Sequence, residues 1–176
     1  MNMGQSIQII TGKYKHFRLP VSPQSILRPT SHFLRGAVFN ILVHKIWPQS
    51  MENGPCGHLR GKRVLDLCAG TGSYGFEALS RSASWVTFAD ASSQSIQYIT
   101  SNIKKIPKIA GDLPVSSSTS VYYTNLPCIS FSAEPFHLIF FDPPYDSPPS
   151  FAFQVLESLE KKNCWPQNAS LSWNMV

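Results

Sequence analysis

Acids are scarce at the start of this chain. Residues 1–60 hold seven Lys or Arg against one acid, Glu52, a balance of +6, while residues 61–176 hold eight against nine, a balance of −1. The chain total of +5 is therefore an N-terminal property. Cysteine is also poorly organised for chemistry. Cys56, Cys68, Cys128 and Cys164 form no C-x-x-C pair and have no His at ligand spacing, which argues against a zinc site and against a disulfide framework. They read as free thiols of a reducing compartment. No uninterrupted apolar run reaches spanning length, and M-N-M-G-Q-S-I-Q lacks a basic region followed by an apolar stretch. No membrane association and no metal are expected, and the cytosol is the default location. At 176 residues, with 43% hydrophobic and 14% charged, one soluble domain with its own core is expected.

The most informative stretch is Val64 to Gly75, V-L-D-L-C-A-G-T-G-S-Y-G. Val64, Leu65 and Leu67 predict a short buried strand. Gly70, Gly72 and Gly75 turn it sharply into a helix carrying Glu77, Ala78 and Leu79. Such a loop lets a ligand approach backbone where a Cβ would collide, and a helix N-terminus offers it unpaired N–H groups. A nucleotide-like ligand follows. Asp66, four residues before Gly70, falls at the strand's carboxyl end, and Asp90 closes a second strand, Trp85 to Ala89, where an acid can accept ribose hydroxyls. Equally, Asp66 can cap a helix or loop, and Asp90 can cap the helix after it.

The rest of the chain falls into a basic N-terminal arm, residues 1–60, and a core, 61–176, within one globular unit. Ile7 to Ile10, Thr11-Gly12 and the cluster Lys13, Tyr14, Lys15, His16, Phe17, Arg18 predict a small hairpin displaying cations and rings together. Cations hold phosphates while rings stack on unpaired bases, so RNA is the expected partner. Arg28-Pro29-Thr30 opens a helix capped by Thr30 or Ser31, with Phe33, Leu34, Ala37, Val38, Ile41 and Leu42 as one apolar face packed on the sheet. Arg35 falls off that stripe, a surface arginine or one pointing toward a ligand. Pro48 to Gly61 is a linker. Ser92 or Ser93 caps a helix whose Ile96, Ile99, Ile103 and Ile106 recur at helical spacing. Val121 to Thr124 predicts a third strand ending at Asn125, and Phe151 to Lys162 a further helix; Ala169 to Val176 begins a fifth strand. The alternation implies a parallel sheet.

A fourth strand, His137 to Phe141, runs into Asp142-Pro143-Pro144-Tyr145. Two prolines remove two N–H groups and stiffen the backbone, so carbonyls and the Asp142 carboxylate converge as acceptors. An exocyclic amine of a base fits such acceptors, with Tyr145 stacked on its ring; a proline-stiffened surface turn is the plainer alternative.

L-D-L-C-A-G-T-G-S-Y-G-F-E-A-L-S-R with F-D-P-P-Y resembles the class I S-adenosylmethionine-dependent methyltransferases. With I-I-T-G-K-Y-K and R-P-T-S-H-F-L-R-G-A-V-F-N ahead of them, the sequence is similar to the RsmD family, which methylates N2 of a guanine in small-subunit (16S) ribosomal RNA. The resemblance spans about Ile7 to Val176. It implies an α/β, Rossmann-like fold: a mostly parallel sheet with helices on both faces behind a short hairpin and helix. It also implies S-adenosyl-L-methionine as cofactor and ribosomal RNA or the small ribosomal subunit as partner. By position, Asp66, Ala69, Gly70 and Gly72 would hold the methionine part, Asp90 the ribose and Asn125 the adenine edge. Asp142, Pro143 and Tyr145 would hold the guanine. Arg28, Thr30 and Arg35 match the motif near the cofactor, and Lys13, Lys15 and Arg18 the hairpin that meets RNA; Arg28 and Arg35 are counted with the RNA contacts. Phe33 and Gly36 stand where the family usually shows Arg and Glu, and Ser92 replaces a frequent acid. The class I fold usually continues past its fifth strand into an antiparallel pair, and the sequence ends first, so those strands are expected to be missing. D-P-P-Y also resembles DNA adenine-N6 and protein glutamine-N5 methyltransferases, and a shortened relative that binds RNA or cofactor without turnover is the alternative from another class.

Overall fold

The computed structural model describes residues 6–21, 31–48, 54, 57–108, 114–129, 134–144 and 146–164. Arg28, Thr30, Tyr145 and the fifth strand expected from Ala169 lie outside the described residues. Strands β1 (Ser6–Gln8) and β2 (Arg18–Pro20) pair antiparallel, with Ile7 opposite Leu19. Helix α1 (His32–Ile41) follows, capped by the Ser31 hydroxyl, which accepts the Leu34 N–H at 3.0 Å. It widens into a π turn over Leu42–Ile46, where Trp47 N–H reaches back to Leu42 O. The core then alternates: β3 (Arg63–Leu67), α2 (Ser73–Ser80), β4 (Trp85–Asp90), α3 (Ser93–Lys105), a 3-10 turn, β5 (Thr119–Tyr123), β6 (Leu138–Phe141) and α4 (Pro149–Lys161).

The four core strands are ordered β5-β4-β3-β6, and every neighbouring pair is parallel. From β3 the chain winds outward through β4 to β5 and then crosses back to the other side of β3. That reversal makes the carboxyl ends of β3 and β6 the place where a ligand of an open α/β sheet binds. Both faces of the sheet are covered, as the uninterrupted apolar strands require. On one face Val64, Val86 and Phe88 share a core with Ile99 and Ile103 of α3, Phe76 and Leu79 of α2, and the arm's Ile7, Leu19 and Phe39. On the other, Leu65 and Leu67 pack with Val155 and Leu159 of α4. The arm and the sheet thus share one core.

Two expectations about the arm are corrected. The buried residues of α1 are Arg35 and Phe39, neither in the expected stripe. Of that stripe Leu42 is buried in the turn that follows and Val38 packs against the core, while Phe33 is 86% exposed and Leu34 and Ile41 are also exposed. Phe39 packs against Tyr74 of α2 and Phe140 of β6, at ring separations of 6.4 and 5.3 Å. Arg35 sits inside because charged partners await it there. In the hairpin Lys13 lies over the Tyr14 ring, its Nζ 5.9 Å from the centre, but the other cations and the rings do not point the same way. Tyr14 is buried and Phe17 packs against the core, while Lys15 and Arg18 are exposed.

Candidate active site

β3 delivers its side chains alternately, Leu65 and Leu67 to the α4 face and Asp66 to the α2 face, with Asp66 only 3% exposed. There its Oδ2 accepts the N–H of Gly75 at 2.8 Å. The capping role open to Asp66 is therefore filled, across the loop and onto the first turn of α2. The loop between is held by left-handed backbone at Cys68, Gly70 and Gly72. Ala69 N–H donates to Ala89 O and Gly72 N–H to Ala69 O. Gly75 serves packing rather than ligand access: a Cβ there would run into the Phe88 ring of β4, so its absence lets helix and strand touch.

Asp90, at the end of β4, is half-buried and bidentate. Its Oδ2 accepts Gly70 N–H and its Oδ1 accepts Ser92 N–H, both at 2.7 Å. The helix cap is Ser92, whose hydroxyl accepts from Ser95 N–H. Asp90 thus pins the glycine loop to β4, and its remaining lone pairs stay open to further donors, because a carboxylate offers about four acceptor sites. Asn125 is exposed just beyond β5, next to Thr124, whose N–H donates to Asp90 O at 2.9 Å.

The pairing of β6 with β3 sets Phe141 opposite Leu67, so Asp142 leaves the sheet beside Cys68 and the glycine loop. Asp142 is exposed, and the turn after it closes through Ser147 N–H to Pro144 O at 3.0 Å. Three carboxylates, Asp66, Asp90 and Asp142, consequently gather at one edge. Burial pushes the Asp66 carboxyl from 3.8 up to about 8, with Asp90 and Asp142 pushing the same way and the Gly75 N–H opposing. Burial and the same acids push the Cys68 thiol up to about 12, which leaves it no nucleophile. An edge so rich in negative charge suits a cationic ligand. Beside it, Pro20 and Val21 line a shallow cleft with Gly70, Thr71, Tyr98 and Asn102, and Asn102 Nδ2 donates to Pro20 O at 3.2 Å.

Asp66, Ala69, Gly70, Gly72, Asp90 and Asn125, expected at the cofactor, and Asp142 and Pro143, expected at the base, lie at the same edge of the sheet. Arg35 is corrected: at 2% exposure, with its guanidinium on Gln8 O at 2.6 Å, it is an internal tie and not an RNA contact. No role is expected from sequence for Tyr74, stacked on Phe140 at 4.6 Å, or for the charges Glu77 of α2 and Arg81 just after it. The signal for the latter was a Glu and an Arg four residues apart, in and just after a helix with no other charge. Among the described residues, no group of His, Cys, Asp and Glu is arranged to hold a metal ion, and no helix is long and apolar enough to cross a membrane.

Residues 7–174 match the family described as Conserved hypothetical protein 95. Ribosomal RNA small subunit methyltransferase D of Buchnera aphidicola subsp. Baizongia pistaciae is 28% identical over 169 residues, 94% of this chain and 74% of that protein. The protein of the same name from Escherichia coli K12 is 30% identical over 139 residues, 79% of this chain and 60% of that one. Among solved structures, the Escherichia coli protein yhhF superposes with a TM-score of 0.68 at 25% identity, covering 94% of this chain and 78% of that one. With the parallel sheet, the glycine loop and the Asp-Pro-Pro turn at its edge, the chain belongs to the Conserved hypothetical protein 95 family, the RsmD family of methyltransferases.

Proposed function

We propose that this protein transfers a methyl group from S-adenosyl-L-methionine to the exocyclic N2 of a guanine in small-subunit ribosomal RNA. The observation that carries the reading is the β3–β6 register, which brings Asp142-Pro143 alongside the glycine loop. The names of the relatives support ribosomal RNA as the substrate class. The donor set supports the cofactor. A sulfonium and an α-ammonium are both cations, and three carboxylates face the loop, one of them desolvated enough to hold a proton until a cation arrives.

When bound, S-adenosyl-L-methionine supplies a methyl group already activated by positive sulfur, so the protein's task is placement. Asp66 and the backbone from Ala69 to Gly72 would hold its methionine part, Asp90 the ribose, and Asn125 the purine edge. Asp142 and the Pro143 carbonyl would accept the two N–H hydrogens of the guanine amine. Accepting both turns the nitrogen lone pair, otherwise delocalised into the ring, toward the methyl group. One of the two hydrogens leaves as a proton to solvent when the N–CH3 bond forms and the S–CH3 bond breaks, releasing the neutral thioether S-adenosylhomocysteine. Correct orientation alone recovers roughly 7–11 kcal/mol of barrier. Tyr145 would stack on the base, returning about 1–3 kcal/mol of the cost of unstacking it. Lys13, Lys15, Arg18 and Arg28 would neutralise phosphates.

The deciding experiment incubates small ribosomal subunits lacking the modification with labelled S-adenosyl-L-methionine and resolves the nucleosides. N2-methylguanosine is the expected product. Cofactor binding without any methylated nucleoside would overturn the reading in favour of a non-catalytic binder, and methylated adenine or glutamine on other substrates would redirect it.

A further inference from the structure

Every residue of α2 from Ser73 to Ser80 is buried, so each polar group it carries must be satisfied internally. Glu77, at 0% exposure, meets that requirement by reaching into the arm. Its Oε2 accepts Ile10 N–H at 2.8 Å and its Oε1 accepts Thr11 N–H at 3.0 Å. Arg81 Nε lies 2.9 Å from Oε1 and Arg35 Nε 3.8 Å from Oε2, and Arg35 donates onward to Gln8 O. One turn later Ser80 repeats the arrangement. Its hydroxyl accepts Tyr14 N–H at 3.0 Å and donates to Thr11 O at 2.5 Å, and its carbonyl accepts Lys13 N–H at 2.8 Å. Gly12, at φ 93°, fits because a Cβ would overlap the Ser80 carbonyl.

We infer that Glu77 is a positioning residue for the substrate-facing arm: wedged between Arg35 and Arg81, its carboxylate grips the backbone of Ile10 and Thr11 and so fixes where Lys13, Lys15 and Arg18 stand relative to the glycine loop. The loop opens the same helix, since Gly72 precedes Ser73 and Gly75 is tied to Asp66. One helix therefore sets the spacing between the two ends of the proposed reaction. What the arm meets rests on the ribosomal RNA reading; that Glu77 holds the arm does not.

The charges dictate which variants are informative. Glu77→Gln leaves two buried guanidinium groups without a counter-charge and is the harsher change. Arg35→Met leaves Glu77 paired with Arg81 and removes, with the tie to Gln8, one of the two cations that wedge the carboxylate against Ile10 and Thr11, so the grip loosens without a buried charge left uncompensated. The wild-type chain and both variants are compared by amide hydrogen exchange and by steady-state transfer to unmodified small ribosomal subunits. Exchange at Ile10, Thr11, Lys13 and Tyr14 is expected to quicken on the order of tenfold or more, as loss of a charged hydrogen bond implies, with Val64 to Leu67 unchanged. The KM for subunits rises by a similar factor, kcat and cofactor Kd move by about twofold or less, and Arg35→Lys recovers part of the loss. Unchanged protection across 10–14 overturns the grip. Quicker exchange with unchanged KM overturns the positioning role. Should Glu77→Gln not fold, Arg35→Met decides alone. Should the wild-type chain neither bind nor methylate subunits, the ribosomal RNA reading falls, while the exchange data still judge the grip.

Discussion

Asp90 and Asp142 stand at the same edge with different work, and their variants should separate it. Asp90→Ala loses bonds to Gly70 and Ser92 as well as the proposed contact with a ribose, so cofactor affinity should fall on the order of 10- to 100-fold, read by calorimetry. Asp142→Ala touches no bond within the loop. It should abolish transfer and leave cofactor affinity nearly intact; loss of both together would argue against its place beside the base. Asp66 carries a pH signature. Between 3.8 and about 8 the folded protein keeps a proton that the unfolded chain has released, so folding takes up a proton and stability falls as pH rises through that window. Each pH unit costs up to about 1.4 kcal/mol, and the loss levels off above the folded value. Asp66→Asn should flatten melting temperature against pH. A cationic ligand favours the ionised carboxylate, so cofactor binding to the wild type below pH 8 should release a proton, seen as heats that depend on the buffer's ionisation enthalpy.

At the scale of elements, α1 offers the sharpest test of phase. Phe39→Ala removes a ring packed on Tyr74 and Phe140 and should cost about 3–5 kcal/mol, whereas Phe33→Gln, at a solvent position, should stay within about 0.5 kcal/mol. Denaturant melts of the two variants check the difference, and equal losses would restore the stripe expected from sequence. Why that stripe misled is physical. Hydrophobic periodicity assigns charges to the outside, and Arg35 is inside only because Glu77 and the Gln8 carbonyl, distant in sequence, are there to receive it. Elements with local signals were legible: β3, β4 and β6 from their apolar runs, α3 from its isoleucines and its Ser92 cap, and the glycine loop from its spacing. The convergence of Asp66, Asp90 and Asp142 was legible too, because strand ends of a parallel sheet share an edge. Partners made by folding were not: the bond from Asp66 to Gly75, the stacking of Tyr74 on Phe140, and the inward turn of Tyr14.

Considered whole, the molecule is asymmetric in charge, with the excess on the arm. If Lys13, Lys15 and Arg18 neutralise phosphates, replacing each by Ala should weaken RNA binding at low salt and reduce the slope of log affinity against log salt by roughly 0.7–0.9 per contact. Titrations of an RNA fragment at several salt concentrations read this directly, and unchanged slopes would remove the arm from the RNA surface. The sheet order bears on synthesis. Arg63 and His137, which bond at the start of the β3–β6 pairing, are 74 residues apart. On a ribosome adding about 5–20 residues each second, the glycine loop emerges on the order of 4–15 s before Asp142. During that interval β3 has an unpaired edge of N–H and C=O groups, a template for wrong partners. The seam that makes the candidate active site is thus also an exposed stretch of the nascent chain, and a chaperone holding apolar strands would be of use to it there.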